Sequence, residues 1–413
     1  DAFTDPLMGV ISDRTKHRLG RRHPYFLLGI IPMGLSYFML FSIQSSWGLS
    51  QQQLFLWMLT FTVLTRIGMT VFDVPHRSLG SEMSRSYTER TSIFAARELM
   101  GWAGGLFNAF LAYTVFFKDT AEYIPGTQNP EPWIYYGMTG SFMMCFAVLI
   151  TYFGTLKYRN SSFNDSTSFD LKLIYSQISI ALKNKSFLIF FIGYLFIAVG
   201  WGLNSSLQIY MNTYFWEFKS IMIASFLGIY AISTFSAFLL VPRLVLYIEK
   251  KAILLFAIAF AALVPPIPIF LYINGILPDS GSWELFYALV PFIYIANTCL
   301  SSSAIIRESM LGDISDEVEL DSQIGQQGLM YASSSLIGKL NTGLGILMAG
   351  LALEFIGFPQ GSEFFPTVDQ IFNLAMVQGP LVGVLMIIPF AIFSLYTIDR
   401  KRHQEILTKL EVR

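Results

Sequence analysis

Four short stretches place charged side chains among apolar neighbours, and they define the chemistry open to this chain. Asp1 and Asp5 stand four residues apart, on one helical face, with Thr4 beside them. Arg66, Thr70 and Asp73 recur along one face of a later apolar stretch, Arg97 and Glu98 lie early in the next, and Lys339 sits deep in another. Lys339 is about eleven residues beyond Gly328, near the opening of its stretch, roughly 16 Å at about 1.5 Å per residue. A charge at the centre of a bilayer costs a few kcal/mol, so it is kept for a task or for a partner. Two close carboxylates repel unless they are protonated or bridged by a cation. A hydroxyl such as that of Thr70 can complete an all-oxygen shell for a hard monovalent ion. The competing reading is structural: aspartates paired with Arg66 or Lys339 to hold helices in register. Lys339 could equally partner the acids or touch a solute.

Other chemistry finds little support. The four histidines, His17, His23, His76 and His403, fall at the edges of apolar stretches, and no metal-ligand or nucleophile constellation appears. Cys145 and Cys299 lie alone in apolar surroundings and read as small packing residues. An enzyme is not expected. A net charge of −1 gives no footprint for nucleic acid.

The elements that must carry these residues are membrane helices. Of 413 residues, 54% are hydrophobic and only 13% charged, against about 25% charged in a soluble domain. The mean hydropathy is +0.53. Apolar blocks long enough to cross about 30 Å of hydrocarbon run over 24–46, 53–79, 92–117, 133–156, 187–213, 219–245, 252–275, 283–306, 326–356 and 375–397. Trp47, Trp133, Trp216 and Trp283 fall near their ends, as interfacial aromatics do. Basic residues concentrate in alternate loops: Arg14 to Arg22, Arg77 to Arg90, Lys157 to Lys185, Lys250–Lys251, and the tail from Arg400. These loops are expected to face the cytoplasm.

Residues 1–12 are too short to cross and read as the cytoplasmic half of a span whose beginning lies upstream, so a preceding helix is expected. The polar stretch 157–186 then separates two comparable halves: a helix bundle over 1–156, lacking its first helix, and a six-helix bundle over 187–397, with a tail at 398–413. A faint repeat relates them. Leu79-Gly80-Ser81-Glu82 closes the second block and Leu311-Gly312-Asp313 the eighth, each followed by a charged stretch and a new span. Two six-helix bundles with a solute site at mid-bilayer have this spacing.

The loop Gly9-Val10-Ile11-Ser12-Asp13-Arg14-Thr15-Lys16-His17-Arg18-Leu19-Gly20-Arg21-Arg22 resembles the loop after the second helix of major facilitator transporters. With Asp1-Ala2-Phe3-Thr4-Asp5-Pro6 before it, the chain resembles the glycoside–pentoside–hexuronide:cation symporters. Asp73-Val74-Pro75, Glu89-Arg90-Thr91, and Asp313-Ile314-Ser315-Asp316-Glu317 leading to Gly328 and Lys339 agree with that family. The resemblance implies an all-α membrane protein of the major facilitator fold, two six-helix bundles with about eleven of twelve helices present. It implies that Asp1, Thr4, Asp5 and Thr70 bind a coupling cation, sodium or proton, with no other cofactor. It places Asp73 and Arg97 in the sugar pocket and Lys339 near both sites. Thr4 stands where the family's best-known member has asparagine, which leaves the ion open.

Trp201, Asn204 and Gln208 could stack on and hydrogen-bond a sugar, or could equally pack. Asp13, Arg14, Arg18 and Arg22 are expected to brace helix ends, and the acidic run from Asp313 to Asp321 to form a gate or a solvated turn. The expected function is cation-coupled symport of a sugar or glycoside across a cell membrane, by a multi-pass monomer whose full-length termini are cytoplasmic. The alternative is a sodium-dependent lysophospholipid-type transporter of the same superfamily, against which Asp73 and Arg97 speak mildly.

Overall fold

The computed structural model describes residues 4–44, 47–118, 129–159, 180–322, 327–358 and 366–412. Among these residues every regular element is a helix. In chain order they are α1 (Thr4–Arg14), α2 (His23–Phe41), α3 (Gln51–Glu82), α4 (Tyr87–Leu111), α5 (Pro132–Thr155), α6 (Lys185–Tyr210), α7 (Ser220–Tyr247), α8 (Lys250–Leu263), α9 (Pro266–Ile273), α10 (Trp283–Ser322), α11 (Gln327–Phe355), α12 (Val368–Met376), α13 (Val382–Leu385), α14 (Ile387–Ser394) and α15 (Arg400–Glu411). Counting continuous helical stretches among the described residues, 10 are long and apolar enough to cross a membrane, and they fall on the ten blocks expected from hydropathy.

Local chemistry sets their ends. Ser50 and Gln53 form a reciprocal capping box at the start of α3, and Thr367 and Gln370 do the same for α12. Asn184 accepts from the Phe187 N–H at α6, and Asp399 from the Arg402 N–H at α15. Pro265 and Pro266 separate α8 from α9, because a proline cannot donate within a helix. The expectation for the acidic run needs correction. Helix α10 does not end near residue 306 or at Asp313 but runs on to Ser322, 40 residues in all from Trp283. Asp313, Asp316, Glu317 and Glu319 are buried rather than in a solvated turn, and the ion pairs described below hold the first three there.

The chain divides into two compact units. The first comprises residues 1–85, 103–179 and 321–333. In it α2 packs on both α3 and α5, and α1 packs on α3. Small residues make the approach possible: a Cβ on Gly68 of α3 would stand 2.6 Å from the Met33 backbone of α2, and one on Gly34 would stand 2.4 Å from the Cys145 sulfur. Ser141 of α5 donates to the Gly34 carbonyl at 2.7 Å. Cys145 is a free thiol wedged at this contact, the packing role expected of it.

The second unit comprises residues 86–102, 180–320 and 334–413. Here α14 packs on α6 and α8. A Cβ on Gly345 of α11 would meet the Gly202 backbone of α6 at 2.4 Å. In both units large apolar side chains stay exposed, Ile31 at 71% in the first and Leu263 at 66% in the second among them. In water such a surface would associate; against lipid tails it is solvated.

Candidate functional site

In the first unit, Asp5 is fully buried at the start of α1 and its carboxylate accepts a 2.7 Å hydrogen bond from the Thr70 hydroxyl of α3. The Thr4 hydroxyl is buried and makes no hydrogen bond to a described residue. Three of the four residues expected at a cation site thus lie on two helices that pack together. Asp1 lies outside the described residues. The α1–α3 contact is what brings Asp5 to Thr70 across 65 positions of sequence. Asp73 lies one turn beyond Thr70, and its carboxylate accepts a 2.7 Å hydrogen bond from Arg77. The Asp73 side chain keeps 28% exposure, so it remains reachable by a solute.

The loop after α1 leads into a buried ion network. Arg22 donates to Asp13 at 2.5 Å, to Glu82 at 2.7 and 2.9 Å, and to the Ser12 hydroxyl at 2.5 Å. Burial alone would lower the Arg22 pKa, but the Glu82 and Asp13 carboxylates outweigh it and raise it above the ordinary guanidinium value. The same Asp13 carboxylate accepts from the Gly328 and Leu329 backbone N–H groups at 2.9 and 3.2 Å. The expectation that Asp13 and Arg22 brace helix ends is therefore met at named atoms.

In the second unit, Arg97 of α4 lies 3.9 Å from the Glu308 carboxylate of α10, and Ser334 of α11 donates to Glu308 at 2.9 Å. Hydropathy placed the end of a span at 306 and so left Glu308 outside the candidates. A partly buried carboxylate, 14% exposed, between an arginine and a serine hydroxyl is the feature missed. Lys339 is half-buried on α11. Trp201 lines a cavity within this unit together with Asn204 and Gln208.

A second ion network occupies the end of α10. Arg90 donates to Asp313 and to Asp316, each at 2.9 Å, and Lys250 donates to Asp313 at 2.5 Å. The Lys250 ammonium also lies 3.7 Å from the Tyr87 ring centroid. His403 of α15 approaches Asp316 at 3.0 Å, and Arg402 donates to Glu317 at 2.5 Å. The sequence marked Arg90 and the acidic run as separate motifs; the fold joins them 223 residues apart.

Residues 1–400 match the family model described as MFS/sugar transport protein. The chain is 25% identical over its whole length to an uncharacterized symporter, YnaJ, of Bacillus subtilis, covering 84% of that protein. It is 21% identical to a glucuronide carrier protein homolog of Escherichia coli, covering 100% of this chain and 85% of that one. Among solved structures, the Escherichia coli fucose:proton symporter FucP superposes with a TM-score of 0.62 at 9% identity, over 96% of this chain and 88% of that one. That likeness shows a major facilitator fold. With a family model spanning nearly all of the sequence and ten helices able to cross a bilayer, this chain is a multi-pass membrane transporter and belongs to the MFS/sugar transport protein family.

Proposed function

We propose that the chain carries a sugar or glycoside together with a cation, sodium or proton, by alternating access in a cell membrane, with its basic loops in the cytoplasm. The observation that carries this reading is the buried Asp5–Thr70 hydrogen bond beside the buried Thr4 hydroxyl. Asp1, Thr4, Asp5 and Thr70 supply the oxygen ligands of the cation. A bound cation neutralises the Asp5 carboxylate, which is buried, and that neutralisation lowers the cost of the conformational change that carries the solute. Asp73, Arg97, Lys339 and Trp201 contact the sugar. Asp73 and Arg97 offer charge-assisted hydrogen bonds to hydroxyls, which contribute about 1.5–3 kcal/mol each.

Symport is supported by the Bacillus relative, a protein named as a symporter, and a glycosidic solute by the relative named as a glucuronide carrier homolog. The test is uptake into vesicles of a panel of neutral glycosides, glucuronides and lysophosphatidylcholine, each with an imposed sodium gradient, with a proton gradient, and with neither. Accumulation of a glycoside under one gradient is expected. Accumulation of lysophosphatidylcholine alone would replace this reading with the lipid one.

A further inference from the structure

Two helices of the second unit each break into a π-helical turn, Met211–Phe215 after α6 and Val377–Leu381 after α12. Such turns are rare and insert an extra residue that re-aims the side chains around it. Here they present two buried amides, Asn212 and Gln378, to the same cavity. The amides join in a ladder. Gln378 Nε2 donates to Gln208 Oε1 at 2.9 Å, and Gln208 Nε2 donates to Asn212 Oδ1 at 3.0 Å. Among the described residues, Gln378 Oε1 and Asn212 Nδ2 make no further hydrogen bond, and neither atom is sealed from the cavity. An acceptor and a donor are thus held ready at opposite ends of the ladder.

The rest of the wall is mainly apolar, with aliphatic side chains such as Ile197, Ile258, Leu289 and Val382 set among aromatic ones. Trp201, Trp216, Phe226 and Tyr230 line the cavity, and the Phe226 and Tyr230 rings lie within 22° of parallel. No charged side chain is among the lining residues, and the open space, cavity and mouth together, is about 1150 Å³. An ion would enter this space without a counter-charge, which is unfavourable. An acyl chain would leave the amide donors and acceptors unpaired, at a cost of about 1–3 kcal/mol for each buried group. A ring with hydroxyls on its edge and C–H groups on its face satisfies both parts of the wall.

We propose that this cavity binds an uncharged pyranose ring of the transported glycoside, with the Gln378–Gln208–Asn212 ladder reading its hydroxyls and the tryptophans covering its face. This rests on the glycoside reading above and adds a specificity site of different chemistry, neutral where Asp73 and Arg97 are charged. It predicts that glycosides with a neutral second ring bind more tightly than those carrying a uronate there.

The experiment uses the full-length transporter in proteoliposomes and titrates neutral disaccharides and their uronate counterparts by tryptophan fluorescence. Cation binding is measured separately in the absence of sugar. Gln378→Leu and Gln208→Met each break the ladder, and the second lies on a regular α-helical stretch if the first disturbs folding. Each is expected to weaken neutral disaccharide binding at least tenfold while cation affinity stays at its wild-type value. Wild-type sugar affinity in either folded variant overturns the site and leaves the glycoside reading standing. A wild-type protein that takes up no glycoside under any gradient removes the reading and this site with it.

Discussion

The Asp13 carboxylate caps the first turn of α11 from the far end of α1, accepting from the Gly328 and Leu329 N–H groups at 2.9 and 3.2 Å while it holds Arg22 at 2.5 Å. The first N–H groups of a helix have no partner within it, and a carboxylate there also meets the positive end of the helix dipole. The approach depends on two glycines, since a Cβ on Gly328 would stand 2.4 Å from the Gly9 carbonyl oxygen. Asp13→Ala should cost about 1–3 kcal/mol of stability, read as a fall in the melting temperature of purified protein. Asp13→Asn, which keeps an acceptor, should lose less. An Asp13→Ala protein as stable as wild type would show that the cap contributes nothing.

Asp5 governs coupling. Asp5→Asn removes the negative charge that a bound cation must balance, so cation-driven accumulation should fail while downhill exchange of solute persists. Thr70→Ala removes the 2.7 Å partner of that carboxylate and should weaken cation affinity by a smaller factor, about tenfold. Uptake against a gradient in Asp5→Asn vesicles, still dependent on the cation, would remove Asp5 from the cation site.

Asp73 separates a sugar pocket from a structural pair. Its carboxylate pairs with Arg77, four residues on in the same helix and partly exposed, and such pairs stabilise a helix by only about 0.3–0.5 kcal/mol. Asp73→Asn should therefore stay folded. If Asp73 accepts two sugar hydroxyls, affinity should fall by roughly ten- to a hundredfold. Cation binding should change less. Calorimetry on the purified variant decides it, and unchanged sugar affinity would return Asp73 to a structural role.

The network at the end of α10 should be sensitive to charge balance rather than to any one contact. Asp313→Asn leaves Arg90 and Lys250 buried, each 1% exposed, with one carboxylate fewer, and should cost about 3–5 kcal/mol. Pairing it with Lys250→Met restores the balance, so the double variant should be more stable than the sum of the single losses implies. Additive losses in thermal unfolding would show that the two side chains act independently.

Hydropathy is a sum over consecutive residues, which is why ten spans, their loops and the misplaced charges could be read directly from the sequence. Asp5 and Thr70 were legible for the same reason: a carboxylate and a hydroxyl inside apolar stretches stand out wherever they pair. Their pairing was not legible, because it requires α1 to pack on α3, a contact between elements 65 positions apart in sequence. Glu308 escaped notice because the apolar count stops before it, whereas α10 continues to Ser322 once Arg90, Lys250 and Arg402 supply partners for its acids. Asn212 and Gln378 escaped for another reason. A π-helical turn has no signature in residue type, and it changes which way an amide faces. Local patterning settled that helices form and where they lie along the chain. Only long-range contact decided which polar groups share a buried site, because a buried donor or charge is stable only where another element brings its partner.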